Sequence, residues 1–427
     1  MLSVKANLLA SRGHEVSIVV LRLKGRKPFF PIDPSVNIVD LSAPYLSLPG
    51  HPSSANATSD SPRTTVSSAV GSTASPASCS ASTEGSTSVL ATGASERLKG
   101  SVRKRLSRVV EMLDPDVCVS LCGPEVRILP AVAGGRPCVA EYHFSHDKFY
   151  RKYGGIFMYP YAWLRTHMLE RAVSEYDCMV TLTEHDLPIW KRHCRRVERI
   201  FNPVTTPPGQ VSRLAEKRMI AVGRLEDQKN FKDLVSAWSI VAERCPDWRL
   251  EIFGEGKLEH ALRSQIARLG LTGSVILRGV VKDIASEYSN SSALLMTSLH
   301  EGFPLALVEA SSFGLPLISY DCPTGPSEII IDAGDGGFDG DGRGAGAGAG
   351  ADAGNVPAAT LDQAAGNTPN GYLVPVGDVR TLADRICRIA SDDNLRLRLG
   401  AASKASSHRF TPETIISAWE HLFSSLL

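Results

Sequence analysis

Short apolar strands alternate with amphipathic helices through the second half of the chain, and this alternation restricts the fold more than any other feature. Strands are predicted at 219–222, 249–253, 275–277, 293–297 and 316–319. The helix after the first strand places apolar residues on one face, namely Phe231, Leu234, Val235, Trp238 and Val241. Such alternation is typical of a parallel sheet covered by helices on both sides. The sequence therefore predicts a doubly wound α/β domain.

The first half repeats the pattern less clearly. A helix at 1–11 and strands at 15–20, 36–40, 117–121, 178–182 and 197–200 are predicted. Because a doubly wound domain usually starts with a strand and a glycine-rich loop, we expect the first strand to be missing and a sheet edge to be left unpaired. Proline-rich sequence after Asn202 breaks regular structure. The predicted domains are 1–205 and 206–409, with a terminal helix at 410–427 crossing back to the first domain.

Two stretches of low complexity interrupt this organisation. Residues 48–95 are rich in Ser, Thr, Ala, Pro and Gly and carry few charged or large apolar side chains. Such a composition buries too little apolar surface to offset its ordering entropy, so we expect an insertion without stable structure. Residues 334–368 contain repeated Gly-Ala pairs and are expected to form a flexible surface loop.

Composition excludes several classes of protein. The 427 residues contain 46 Lys and Arg against 45 Asp and Glu, so overall charge gives no reason to expect nucleic acid as a partner. We find neither a membrane-spanning apolar run nor a signal peptide, which favours the cytoplasm. The nine cysteines lack Cys-x-x-Cys spacing, and we expect reduced thiols.

Two carboxylates, Glu301 and Glu309, bracket the predicted start of a helix. Pro304 suits the first helical turn, so the amides of Leu305 and Ala306 should offer the positive end of the helix dipole at a strand end. This arrangement predicts an anion site, and phosphate is the usual anion. A solvated helix face is the alternative for the two carboxylates when they are considered alone.

Other predicted strands also end in residues that suit phosphate. Gly223 is followed by Arg224, which can donate to two phosphate oxygens, and by Lys229, a compact positive charge. Gly254 follows the next strand and suits a close approach of backbone. Taken alone, both cations could instead form surface pairs. Together these residues predict a diphosphate leaving group neutralised by protein donors, with no cluster of metal ligands among them.

Four ordered motifs resemble those of the retaining glycosyltransferases of family four. They are the segments 222–230, 300–309, 324–328 and 370–375, and the resemblance is strong across about 215–410. It implies the GT-B fold, in which two Rossmann-like domains face a cleft. It also implies a nucleotide diphosphate-sugar, such as a UDP-sugar, bound to the C-terminal domain and a glycan or lipid-linked acceptor bound to the N-terminal domain.

The resemblance also implies roles for individual residues. Arg224 and Lys229 would bind the diphosphate, Glu301 the donor sugar and Glu309 the ribose. The donor would further contact the backbone at Gly223, Gly254, Gly302, Phe303, Pro304, Leu305 and Ala306. A first-domain histidine near the sugar would be His143, or secondly His146, with simple packing at a strand end as the alternative. Family members generally retain anomeric configuration and need neither a metal nor another cofactor.

Three questions stay open at the level of sequence. A nucleotide-sugar epimerase or an inactive binding protein would fit the same fold. The basic segments 99–108 and 191–196 could hold the protein on the inner face of an anionic membrane, or could simply be solvated helix faces. Neither the donor base and sugar nor the acceptor is specified by these motifs.

Overall fold

The computed structural model describes residues 1–23, 27–28, 30–43, 63–68, 90–152, 157–206, 209–334 and 368–427, without the side chains of 63–68 and 90–100. The chain divides into two compact units. The first contains Met1–Thr181, Asp186–Ile200 and Ile416–Leu427, and the second contains Leu182–His185 and Phe201–Ile415. Most of the predicted insertion at 334–368 lies outside the described residues.

The first unit is built on a parallel sheet with the strand order β2-β1-β3-β4-β5-β6-β7. Its strands are β1 Glu15–Val20, β2 Asn37–Asp40, β3 Arg63–Ser68, β4 Val117–Ser120, β5 Cys138–Glu141, β6 Cys178–Thr181 and β7 Val197–Arg199. The strands β4, β5 and β6 are buried along their whole length. Such continuous burial is expected of parallel strands that are covered on both faces.

The sheet corrects one expectation about the first unit. The strand β3 comes from the tract 48–95, where we expected no stable structure. It pairs in parallel with β1 on one side and with β4 on the other. The strand β1 also pairs with β2, so it has a neighbouring strand on each side. The prediction from composition was wrong for these residues because a strand can gain its hydrogen bonds from strands that are distant in the sequence.

Helices cover this sheet and fix its core. They are α1 Leu2–Ser11, α2 Leu90–Leu113, α3 Lys148–Lys152, α4 Tyr159–Val173 and α5 Leu187–Trp190. The C-terminal helix, Pro412–Ser424, sends its residues from Ile416 onward into the same unit. There the Lys5 ammonium of α1 lies 3.9 Å from the ring centre of the buried Trp419. The last helix is thereby packed against the first.

The second unit has a parallel sheet with the order β10-β9-β8-β11-β12-β13. Its strands are β8 Arg218–Val222, β9 Arg249–Phe253, β10 Val275–Gly279, β11 Ala293–Met296, β12 Leu317–Tyr320 and β13 Gly371–Val374. Its helices are α6 Phe231–Arg244, α7 Glu259–Arg268, α8 Ile284–Ser289, α9 Leu305–Ser312, α10 Pro326–Ile329, α11 Val379–Ser391 and α12 Asp393–Ser406. The structure confirms the α/β fold with parallel sheets.

Local sequence accounts for much of this unit. The predicted apolar face of α6 is buried throughout, and Trp238 is completely inaccessible. Carboxylates begin two of the later helices: Asp378 accepts from the amide of Thr381 and Asp392 from the amide of Leu395. Such N-caps satisfy amides that have no partner within the helix. The pattern of apolar and capping residues therefore locates these helices well.

The second unit begins at Phe201 rather than at residue 206, and it also includes residues 182–185. Aromatic packing explains the difference. The ring of Phe201 stacks on Phe303, with 5.3 Å between centroids, and meets Phe410 edge-on at 5.2 Å. Leu182 is buried in the same apolar cluster. These contacts join distant parts of the chain and bring Phe201, the residue before Asn202, into the second unit.

Two general expectations can also be compared with the described residues. The eight cysteines within those ranges are all free thiols, as the absence of paired spacing predicted. Across the same ranges, no helix combines the length and the apolarity that crossing a membrane requires.

Candidate active site

The candidate site of the second unit lies where the order of its strands changes direction. From β8 the chain continues to β9 on one side of the sheet, while β11, a later strand, pairs with β8 on the other side. Ligands of open α/β sheets bind at such a switch point, beyond the carboxyl ends of the strands. The loop after β8 carries Gly223, Arg224 and Lys229, and the loop after β11 carries Glu301.

Glycines allow the loops after β8 and β9 to touch. Gly254 has φ +138°, and a Cβ there would lie 2.0 Å from the carbonyl oxygen of Gly223. A Cβ on Gly256 would lie 2.5 Å from the carbonyl oxygen of Leu225. Both positions therefore exclude every side chain, as a close approach of backbone requires. The predicted glycines Gly223 and Gly254 thus shape the site through their backbones.

Lys229 and Glu301 form an ion pair across the switch point. Lys229 ends the short helical turn Asp227–Lys229, and its Nζ lies 2.6 Å from Oε1 of Glu301. The side chains are 17% and 9% exposed, respectively, so the pair is largely shielded from water. The Lys229 stem lies over Gly223, where a Cβ would be 3.0 Å from the lysine Cε. Glycine at 223 is thus the residue that leaves room for this lysine.

Hydrogen bonds to backbone carbonyl oxygens hold the two loops together around that pair. The side-chain amide of Gln228 donates to the carbonyl oxygen of His300 at 2.8 Å, and the amide of Leu299 donates to the carbonyl oxygen of Gln228 at 2.8 Å. The Thr297 hydroxyl donates to the carbonyl oxygen of Lys229 at 3.0 Å. Gln228 and Thr297 therefore position the pair, and the sequence analysis did not select either residue.

Arg224 is placed differently from Lys229. Its side chain is 67% exposed, and its Nη1 lies 3.0 Å from Oε2 of Glu226. The structure brings Lys229 and Glu301 together, whereas Arg224 pairs with a neighbour on its own loop. This surface pair is the alternative that the sequence left open for the arginine. An exposed pair of this kind contributes little to stability, so it does not hold the guanidinium strongly in place.

The loop 301–304 leads into α9, which begins at Leu305. Pro304 caps the helix with extended backbone (φ −78°, ψ 94°) and does not occupy its first turn, which corrects the predicted helix start by one residue. The amides of Leu305 and Ala306 lie in that first turn, where amides have no partner within the helix. Phe303 is 8% exposed and packs in the core, so only its backbone is available to a ligand.

A third loop supports this helix start. The Thr324 hydroxyl donates to the carbonyl oxygen of Glu301. Gly325 has φ +99°, and a Cβ there would lie 2.5 Å from Cδ of Pro304 and 3.4 Å from the carbonyl oxygen of Gly302. The segment 324–325 therefore fits closely against the loop that carries Glu301, which explains why these motifs occur together.

Glu309 has two partners that the sequence analysis missed. Its Oε1 accepts from the hydroxyl of Thr205 at 2.8 Å, and its Oε2 accepts from the hydroxyl of Tyr288 at 3.0 Å. Tyr288 is fully buried, and burial together with the Glu309 charge raises the pKa of its phenol well above the usual value. The tyrosine therefore stays protonated and orients the carboxylate. Thr205 and Tyr288 lie more than one secondary-structure element before Glu309 in the chain. The spacing of residues in the sequence therefore did not indicate that they contact Glu309.

Ser298 and Asn230 add buried polar atoms beside the switch point. Within the described part of the chain, neither Ser298 Oγ nor Asn230 Oδ1 has a hydrogen-bond partner. Asn230 also adopts the left-handed conformation, with φ 47°, before α6. Buried polar atoms without partners are uncommon and often occur at functional sites. Asn230 ends the motif 222–230 and Ser298 lies just before the motif 300–309, and the sequence analysis assigned neither residue a role.

His143 belongs to the first unit and follows β5. Its Nε2 lies 3.3 Å from Oε1 of Glu141, and the same carboxylate oxygen forms an ion pair with Lys5. Burial raises the pKa of Glu141, but the charges of Lys5 and His143 outweigh it and leave the pKa below its usual value. His146, the second candidate, instead points toward Glu170, with Nε2 2.9 Å from Oε1. Lys5 was missed because it is 136 residues from Glu141.

Comparison with known proteins finds similarity to glycosyltransferases. The family model described as glycosyl transferases group 1 matches residues 207–338. An uncharacterised glycosyltransferase of Haemophilus influenzae is 26% identical, covering 97% of this chain and 92% of that protein. The amylovoran biosynthesis glycosyltransferase AmsD of Erwinia amylovora is 40% identical, but the match spans 49% of this chain and about half, 48%, of AmsD.

Solved structures share the fold. Sucrose-phosphate synthase of Thermosynechococcus elongatus aligns with a TM-score of 0.63 at 15% identity, covering 99% of this chain and 91% of that chain. HepE of Anabaena, in complex with UDP, aligns with a TM-score of 0.57 at 17% identity, covering 75% and 82%. Residues 207–338 of this chain therefore match the group 1 glycosyltransferases, and the fold of the chain is GT-B.

Proposed function

We propose that this protein transfers a hexosyl group from a UDP-sugar to a lipid-linked saccharide, with retention of anomeric configuration and without a metal at the donor site. The Lys229–Glu301 pair carries the proposal, since it places a cation for phosphate beside a carboxylate for the sugar at the switch point. AmsD, a relative named for amylovoran biosynthesis, and HepE, whose structure holds UDP, support this choice of substrates.

Protein groups alone would neutralise the leaving diphosphate. The Lys229 ammonium has three hydrogen-bond donors, so it can bind phosphate while keeping Glu301 as a partner. The amides of Leu305 and Ala306 supply further donors at the start of α9. Arg224, exposed and weakly paired, is free to turn from Glu226 to the diphosphate. Donors fixed in advance stabilise developing charge without reorganisation.

In the proposed reaction, the bond between the anomeric carbon and the β-phosphate oxygen breaks, and its electron pair leaves with UDP. The acceptor hydroxyl forms the new bond on the same face of the sugar, and its proton passes to the leaving phosphate. Glu301 orients the hydroxyls of the donor sugar. Glu309, held by Tyr288, receives the ribose hydroxyls through its remaining lone pairs. His143 is the proposed first-unit contact with the sugar.

An exposed apolar surface supports a membrane-bound acceptor. We name as the aromatic surface the residues Phe157, Met158, Tyr159, Trp163 and Leu164, at and before the start of α4. Phe157 is 95% exposed, and Trp163 is 53% exposed. Contiguous exposed apolar groups mark interaction sites, and Trp and Tyr favour the membrane interface. Arg103, Lys104 and Arg108 on the exposed face of α2 would add attraction to anionic lipid at the cytoplasmic face.

Vesicle sedimentation tests the membrane proposal. The protein should bind phosphatidylglycerol vesicles more strongly than phosphatidylcholine vesicles, and the double variant Phe157→Ser, Trp163→Ser should lose most of that binding. Leu397→Ser is the matched control, because Leu397 is a 52% exposed apolar residue of the second unit. Equal vesicle binding by the double variant and this control would show that the aromatic surface does not bind the membrane.

Isotopically labelled UDP-hexoses and a membrane extract test the main proposal. Mass spectrometry should detect the sugar on a lipid-linked product, and nuclear magnetic resonance should find the anomeric configuration retained. Adding Mg²⁺ or Mn²⁺ to chelator-treated enzyme should not raise turnover. Donor binding without any product would instead favour a binding protein, and an isomerised UDP-hexose formed without acceptor would favour an epimerase. Arg224→Ala should weaken UDP binding while leaving the thermal midpoint unchanged.

A further inference from the structure

Two histidines and a glutamate of the first unit converge on one point. His146 follows β5, Glu170 lies on α4, and His193 follows α5. Oε1 of Glu170 lies 2.9 Å from Nε2 of His146 and 3.5 Å from Nε2 of His193. One potential ligand atom from each residue lies within 4.8 Å of the others. These residues play no part in the proposed donor chemistry.

The histidines are held in place by their surroundings. The ring of His146 meets the buried Trp190 edge-on, with 5.1 Å between centroids, and its amide donates to Oδ1 of Asp186 at 3.3 Å. The amide of His193 donates to the carbonyl oxygen of Trp190 at 2.9 Å. The two imidazoles also stack at 6.4 Å with an angle of 15°. The Trp190 ring also meets the His193 ring edge-on, with 6.5 Å between centroids, so a single buried tryptophan contacts both imidazoles.

The donor set and its spacing fit a zinc ion. Imidazole nitrogen and carboxylate oxygen bind Zn²⁺ at about 2.0–2.2 Å, so neighbouring ligand atoms of a tetrahedral site lie about 3.4 Å apart. The separations of 2.9 and 3.5 Å in this cluster bracket that value. The side chains of His146, Glu170 and His193 are 15%, 15% and 29% exposed. An ion can therefore enter and can keep a further ligand.

We propose that His146, Glu170 and His193 form a zinc site in the first unit. Water completes the coordination of the ion. The ion ties the segment after β5 to α4 and to the turn after α5, three parts of the chain that are separate in the sequence. Its effect is therefore on the stability of the first unit, and it is separate from donor binding in the second.

Zinc titration of the full chain after chelator treatment tests the site. Calorimetry should find one tight Zn²⁺ site, and zinc should raise the thermal midpoint. Glu170→Gln and His193→Gln should each weaken zinc binding by at least about tenfold. His260→Gln, which changes an exposed histidine of the second unit, should leave it unchanged. Equal zinc affinity of wild type, His193→Gln and Glu170→Gln would overturn the assignment.

Cobalt gives a readout on the unaltered protein, should a variant fail to fold. Co²⁺ at the proposed site should show visible bands of low coordination number, without the near-ultraviolet charge-transfer band of a thiolate ligand. A strong thiolate band, or the absence of any bound ion, would contradict the proposal. Zinc should raise the thermal midpoint of Lys229→Ala as it raises that of the wild type. The zinc test therefore does not depend on whether the donor-site proposal is correct.

Discussion

Nζ of Lys229 lies 2.6 Å from Oε1 of Glu301, and this contact joins the loops that follow two adjacent strands of the second unit. The two residues are 72 positions apart in the sequence. Their side chains are largely buried, and Thr297 and Gln228 fix the backbone on either side. Both loops are therefore already fixed around the pair, so a charged ligand bound there as proposed would not need to order them.

Replacing Lys229 should test the charge at the switch point. Lys229→Ala is expected to reduce UDP-sugar affinity and kcat/KM by about 2–4 kcal/mol, because a charge aimed at the leaving diphosphate is lost. Lys229→Met keeps the stem over Gly223 and should show a similar loss. Calorimetry with UDP and initial rates measure the effect.

The control for Lys229 is Lys217→Ala. Like Lys229, Lys217 pairs with a carboxylate, because it lies 2.8 Å from Asp247, but its position is exposed. Lys217→Ala should leave donor affinity unchanged. If Lys229→Ala binds UDP as well as Lys217→Ala does, Lys229 is not a diphosphate ligand.

Glu309 should determine how strongly the enzyme selects ribose over deoxyribose. Glu309→Gln is expected to weaken binding of UDP by about 1–3 kcal/mol and that of 2′-deoxy-UDP much less, because the carboxylate is a stronger acceptor for a ribose hydroxyl. Tyr288→Phe, which removes one donor to Glu309, should have a smaller effect in the same direction. Competition binding of the two nucleotides gives the ratio, and an unchanged ratio in Glu309→Gln would exclude ribose recognition.

Gly254 should not tolerate a methyl group. In Gly254→Ala the new Cβ would lie 2.0 Å from the carbonyl oxygen of Gly223, in a backbone conformation that L-residues rarely adopt. We expect a loss of at least about 2 kcal/mol in the free energy of unfolding. Gly273→Ala is the matched control, since nothing lies within 4 Å of its added Cβ. Urea unfolding compares them, and equal stability would refute the close approach.

The buried Lys5–Glu141 pair predicts a dependence of stability on pH. The pKa of Glu141 is lowered in the folded protein, so its ionised form stabilises the fold above the unfolded pKa of about 4.3. That contribution is lost as pH falls below this value toward the folded pKa. Thermal midpoints of wild type should therefore fall between about pH 5 and 3 more steeply than those of Glu141→Gln. Identical pH profiles would contradict the shift.

Deleting β3 should destabilise the first unit. Removing residues 63–68 takes a parallel partner from both β1 and β4, and backbone groups buried between them would lose their hydrogen bonds. We expect a lower thermal midpoint and poor recovery of folded protein. Deleting residues 363–367, in the glycine-rich insertion, is the control and should have little effect. Equal midpoints for the two deletions would show that β3 is dispensable.

Sequence alone determined the elements whose signals are local. The strand Glu15–Val20 and the buried face of α6 follow from the spacing of apolar residues, which reflects the geometry of a single strand or helix. The motifs around Lys229 and Glu301 were likewise visible in the sequence, because the residues of each motif are neighbours in one loop, and the donor role assigned to them stays a prediction.

Only the tertiary structure decided which of these residues meet. Strand order brought Lys229 to Glu301 and left Arg224 beside Glu226, and packing placed Thr205 and Tyr288 on Glu309. Tertiary structure also decided the buried Lys5–Glu141 pair, the pairing of the strand β3 and the cluster around Glu170. Each joins segments far apart in the chain, and no local pattern records such a contact. It is fixed only when the sheets set the order and register of their strands.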